Sequence, residues 1–184
     1  MADDTIKLEG ASLSISGMKA TVTLHRPLPP DHPMHTLVGR VAAEWSQVEH
    51  FLDIAIWRLA KVDDATGACM TGQILGSFPK MIAIKALCIH RKLNKEIFAQ
   101  LKELSIKMKG SQDRRNRILH DAWYVMESDG SESETQQFKS MARDEWLFGF
   151  HEVDETYVNE TLEKIGRRFT EAGNLAGAII DAMR

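Results

Sequence analysis

Residues 113–121, DRRNRILHD, set Asp113, Arg114, Arg115, Asn116, Arg117, His120 and Asp121 within nine positions. A charge run of this kind is usually a solvated helix face. Its phase argues for more. At about 100° per residue, Leu101, Leu104 and Met108 before the run, with Ile118 and Leu119 inside it, define one apolar side. Arg115 follows Met108 by seven residues and falls on that side, between Ile118 and Leu119. An arginine turned toward a core costs several kcal/mol if unpaired, so it requires a carboxylate or a cleft. This phase holds if the helix runs unbroken through Gly110.

His120 follows Asn116 by four residues, one helical turn along the same face. An imidazole moves protons near neutral pH. A guanidinium holds a phosphate and stabilises the charge that grows on it in the transition state. An amide orients either group. Arg115, Asn116 and His120 are therefore candidate catalytic residues, with Arg114 and Arg117 as substrate-binding cations and Asp113 as an orienting carboxylate. The set requires no metal and no cofactor. It suits phosphodiester cleavage by an internal 2′-hydroxyl, which restricts the substrate to RNA. Such cleavage wants both a base and an acid, and one histidine supplies a single group. Two copies facing one another in a symmetric homodimer would supply both.

These residues need a helical frame, and the hydrophobic pattern predicts one. Leu37, Val41, Trp45, Val48, Leu52, Ala55, Ile56 and Leu59 recur at three- and four-residue intervals, which predicts a long helix over about 34–61. Asp63 or Asp64 is placed to cap a short second helix to about Leu75, and Ser77 or Pro79 to begin a third reaching about Leu93. Asn94 is a fair cap for the fourth, bent or divided at Gly110, and a last helix is expected over about 154–183. Alternation over about 11–25 predicts a hairpin turning at Gly17, followed by a proline-rich connector. A second small hairpin is expected from strands at 122–126 and 136–141, around a mobile loop tip, ESDGSESET. The expected architecture is mostly α: a bundle of four to five helices with two peripheral hairpins. Residues 1–33 form the hairpin and connector, and 34–184 the helical domain.

A chain of 184 residues with net charge -3 is long enough for one domain, and any contact with nucleic acid must be a local basic patch. Two cysteines, Cys69 and Cys88, fit free thiols in a reducing compartment. The acidic start MADDTIKLEG lacks a secretion pattern, and no apolar run approaches the roughly 20 residues of a membrane span, so a cytoplasmic location without membrane contact is expected.

Other candidates carry weaker signals. Glu49 sits at the edge of the first helix's apolar stripe, where it either pairs with Arg115 and orients it or keeps its carboxylate in water. His50 and His90 are expected at surfaces or interfaces, and His32 and His35 lack the partners of a zinc site. Lys164, Arg167 and Arg168 read as a solvated basic face. Cys69 and Cys88 read as small helix-packing residues.

The arginine, the polar residue after it and the histidine five positions on resemble the R-x4–6-H motif of HEPN domains. The segment EWSQVEHFLDIAIWRL, with Trp45 and Glu49, is similar to the opening helix of bacterial HEPN-like proteins. The resemblance covers about 34–125 and the last helix. It implies a metal-independent endoribonuclease, often a toxin or anti-phage effector, that works as a homodimer with both motifs in one cleft. Arg115 and His120 would be catalytic and Asn116 the accompanying polar residue, with an antitoxin or other regulatory protein as a further partner. One subgroup of the family places a tyrosine two residues after the histidine; here that position is Ala122. Two other readings stand beside the enzyme. One is a catalytically silent module that binds a nucleotide, RNA or a protein. The other is a structural, dimerising bundle in which Arg115 is a buried ion-pair partner.

Overall fold

Four prolines mark the change from strand to helix: Pro27 ends one strand, Pro29 and Pro30 follow, and Pro33 is the first residue of a long helix. Pro27, at a strand end, and Pro33, in a first helical turn, each sit where no N–H has to be given. The computed structural model describes residues 4–8, 11–16, 19–127, 134–142 and 146–184, with side chains described at 25–126, 135–138 and 149–184. The chain divides into two compact units, Met1–Leu37 with His120–Tyr157, and Val38–Leu119 with Val158–Arg184. The sequence expectation of a hairpin arm (1–33) beside one helical domain differs from this division, because the N-terminal strands share a unit with those after position 120.

The first unit is built on an antiparallel sheet of six strands in chain order: β1 (Asp4–Leu8), β2 (Ala11–Ser16), β3 (Lys19–Pro27), β4 (Ala122–Glu127), β5 (Glu134–Ala142) and β6 (Trp146–Glu152). The two expected hairpins are present as β2–β3 and β4–β5, and the pairing of β3 with β4 joins them, from Leu24 opposite Glu127 to Pro27 opposite Tyr124. They are thus neighbouring parts of one sheet, with β1 and β6 added at its ends. The turn expected at Gly17 and most of the loop at 127–135 lie outside the described residues. Phe150 organises the described side chains here. His25 stacks on it at 3.6 Å between ring centroids, and the Tyr124 and Phe138 rings meet it edge-on. Gln136 is buried beside them, its Oε1 3.2 Å from His25 Nε2.

The second unit is the expected helical bundle. It draws on α1 (Pro33–Ala60), α2 (Asp64–Thr71), α3 (Ser77–Arg91), α4 (Lys95–His120) and α5 (Glu155–Ala182). Val41, Trp45, Val48, Leu52 and Leu59 of α1 are all buried, as their spacing predicts. Asp63 caps α2 by accepting from the Thr66 amide at 2.9 Å, and Asn94 caps α4 through the Ile97 amide at 3.0 Å. Lys92 ends α3 in the left-handed conformation, with φ 55°. Gly67 lets α2 approach α1 closely: a Cβ there would lie 2.4 Å from Trp57 Cγ. The Trp57 indole donates to Thr71 Oγ1 at 3.0 Å and fixes that approach. Among the described residues, no helix is long and apolar enough to cross a membrane.

Candidate functional site

The late part of α4 carries the motif, and the helix is continuous through Gly110 from Lys95 to His120. One glycine costs a helix about 1 kcal/mol relative to alanine, less than the burial on either side of it returns. Leu101, Leu104, Met108, Ser111 and Ile118 are the buried stripe. Arg115 falls in line with it and is half-buried. Its Nη1 donates to Asn116 Oδ1 at 2.8 Å, and its Nε is buried without a hydrogen-bond partner among the described residues. No described carboxylate pairs with it. A buried donor left unmade costs about 1–3 kcal/mol, more for a charged group, and Arg115 Nε is such a donor.

The other motif residues are placed differently. His120 is the last residue of α4, exposed, and one helical turn beyond Asn116. The division of the chain falls between Leu119 and His120, so the arginine belongs to the helical unit and the histidine to the sheet unit. Arg114 directs Nη1 and Nη2 to Glu160 Oε2 at 3.2 and 3.3 Å. Arg117 is half-buried, and Asp113 is exposed.

Glu49 is not the partner of Arg115. Its Oε1 accepts from Trp45 Nε1 at 2.8 Å, and its Oε2 lies 3.8 Å from Lys80 Nζ. Lys80, with a side chain only 8% exposed, donates to Asp53 Oδ2 at 2.9 Å, while Asp53 Oδ1 is buried without a hydrogen bond among the described residues. Trp45, Glu49 and Asp53 step along α1 at intervals of four, and Lys80 shares the buried face of α3 with Ser77, Met81 and Ile84. Sequence reasoning missed this cluster. The signal was the phase of Lys80, on the apolar side of its helix just as Arg115 is on its own.

The expected solvated face on α5 is only partly solvated. Arg167 is exposed, but Arg168 is buried and its Nε lies 2.9 Å from Glu171 Oε2. Phe169 is 39% exposed; the helical phase gives the inner position to Arg168. Glu171 also accepts from Lys107 Nζ at 2.9 Å, which in turn pairs with Glu103. The hydrogen bond from Lys107 holds the Glu103 carboxyl below the usual glutamate range, and the bonds to Glu103 and Glu171 raise the Lys107 ammonium above its ordinary value. Cys88 is buried on α3, where burial pushes its thiol pKa up, whereas Cys69 is exposed. His50 meets Trp57 edge-on, His90 is exposed, and His32 and His35 bond within the connector.

No family model matches this chain, and no curated protein or solved structure matches it. The candidate site therefore stands on its own geometry.

Proposed function

We propose that this chain is a metal-independent endoribonuclease of the HEPN type that acts as a homodimer. A toxin or anti-phage role goes with that reading. Arg115 would bind the non-bridging oxygens of the scissile phosphate, with Asn116 holding the guanidinium through its amide oxygen. His120 of one copy would take the proton of the 2′-hydroxyl as that oxygen attacks phosphorus. His120 of the other copy would give a proton to the departing 5′-oxygen, leaving a 2′,3′-cyclic phosphate and a 5′-hydroxyl. The observation that carries the reading is Arg115: a half-buried guanidinium with a buried, unmade N–H and no described carboxylate to neutralise it. A purely structural arginine on a core face would be expected to have such a carboxylate.

The test is cleavage of total RNA in EDTA by the wild-type chain, His120→Ala and Arg115→Ala. The wild type should yield fragments whose 5′-hydroxyl ends accept phosphate from a polynucleotide kinase without prior dephosphorylation, and DNA should stay intact. Loss of the proton carrier should slow cleavage about 100- to 10,000-fold. Equal activity of wild type and His120→Ala would remove His120 from the mechanism. The exposure of His120, with no described partner to set its tautomer, favours a second reading, a silent RNA- or nucleotide-binding module. That reading gives no cleavage by the wild type, and salt-dependent RNA binding that Arg115→Ala weakens.

A further inference from the structure

The helical hairpin of α3 and α4 has a second apolar face, turned away from its core. Met81, Ile84 and Cys88 of α3 are buried, yet Phe78, Ile82 and Ile89 on the same helix are 63%, 55% and 59% exposed. Across from them on α4, Ile106 is 67% exposed. Scattered exposed apolar side chains are ordinary, but a contiguous set marks a surface made for contact. Phe78, Ile82, Phe98 and Ile106 line one groove of about 480 Å³, with Lys85 and Lys102 on its walls.

Charge narrows the occupant. The whole chain has net charge -3, yet residues 77–109 contain eight lysines and arginines against two glutamates. Lys80 is buried on its carboxylates, and Lys107 is taken by Glu103 and Glu171. Lys85, Lys92, Lys95, Lys102 and Lys109 are exposed, and none has a carboxylate partner among the described residues. Among the described residues, none that lines the groove is acidic. A second copy seated face to face would set Lys85 and Lys102 against their own counterparts, a like-charge contact without compensation. A concave apolar floor between two helices takes the ridge of a third helix better than a flat bilayer, and it offers nucleic-acid bases little to hydrogen-bond.

We infer that the α3–α4 groove is a docking site for an amphipathic helix of another protein, one whose apolar stripe is flanked by aspartate or glutamate. Apolar side chains at i, i+3, i+4 and i+7 of the partner fill the groove between Phe78, Ile82 and Ile106. Its acidic flanks meet Lys85 and Lys102. The inference is independent of the ribonuclease reading, because it uses no motif residue and survives a silent site.

The experiment is selection on the full chain from a displayed library of amphipathic helices, apolar at those four positions and randomised among glutamate, lysine and glutamine at the flanks. Glutamate should be enriched at the flanks of the binders. Ile106→Arg should weaken the selected peptides by about tenfold or more. Lys85→Glu with Lys102→Glu should turn the preference toward lysine. These positions are exposed, so an unchanged melting temperature certifies each variant as folded. Flanks without charge bias, no enrichment at all, or binding that survives Ile106→Arg would overturn the proposal. So would a sedimenting dimer that Ile82→Arg dissolves, which assigns the face to a second copy. Flotation with phosphatidylserine vesicles, lost in the same variant, would assign it to a membrane.

Discussion

Lys80 and Arg115 are both cations on the inner side of their helices, and the bundle treats them in opposite ways. Lys80 is enclosed by Asp53 at 2.9 Å and Glu49 at 3.8 Å, and Glu49 is itself anchored by the Trp45 indole. Arg115 leans on the neutral amide of Asn116 and leaves its Nε unmade. Both face inward, Lys80 buried and Arg115 half-buried, and their counter-charges set them apart. A cation neutralised within the fold is part of a buried ion-pair network, whereas one without a described counter-charge is where the proposed anion site rests.

The largest effect should come from breaking the enclosed pair. Lys80→Ala leaves two partly buried carboxylates without their cation and should cost about 3–5 kcal/mol in denaturant unfolding. Adding Glu49→Gln and Asp53→Asn to that change should recover more than half of the loss, since the charges then leave together. If Lys80→Ala is neutral, the contrast with Arg115 collapses. Arg115→Ala is expected to move stability by less than about 1 kcal/mol, because lost packing is offset by removal of an unsatisfied buried donor. A loss as large as that of Lys80→Ala would make Arg115 a structural residue and sink the functional reading.

The smallest effect is expected at the solvent-facing pair of Glu103 and Lys107. Glu103 has a lowered folded pKa, so its contribution is present above the ordinary glutamate value and is lost as pH falls through the folded one. Lys107 has a raised folded pKa, so its contribution is present below the ordinary lysine value and is lost as pH rises through the folded one. Glu103→Gln should therefore flatten the acid limb of the melting-temperature profile. It should shift the neutral plateau by no more than a degree or two, in a difference that high salt abolishes.

The helices were legible because their signals are local. The stripe of α1 needed only its three- and four-residue spacing, and Asp63 and Asn94 act on amides three positions away. The phase of Arg115 was legible for the same reason once α4 ran through Gly110. Two strands were not. DTIKL is short, and WLFGFHE opens on a run of apolar residues without alternation, so neither announces itself by periodicity. Glu49 illustrates the limit at the level of a site. Its place at the edge of the stripe was readable, but its choice of Lys80 over Arg115 depends on how α1 meets α3, which no spacing within either helix encodes.

The junction of β3 with β4 sets an order in time. Leu24 pairs opposite Glu127, about a hundred residues later in the chain. At typical synthesis rates β4 leaves the ribosome on the order of 5–20 s after β3. For that interval β1, β2 and β3 form at most a small sheet with an open edge, the kind of edge that invites pairing with a neighbouring nascent chain. The helices made in between are rich in short-range contacts and fold on far shorter timescales. The helical unit thus has time to assemble its first four helices while the N-terminal strands wait. A ribosome that stalls before position 122 leaves those strands without their partner.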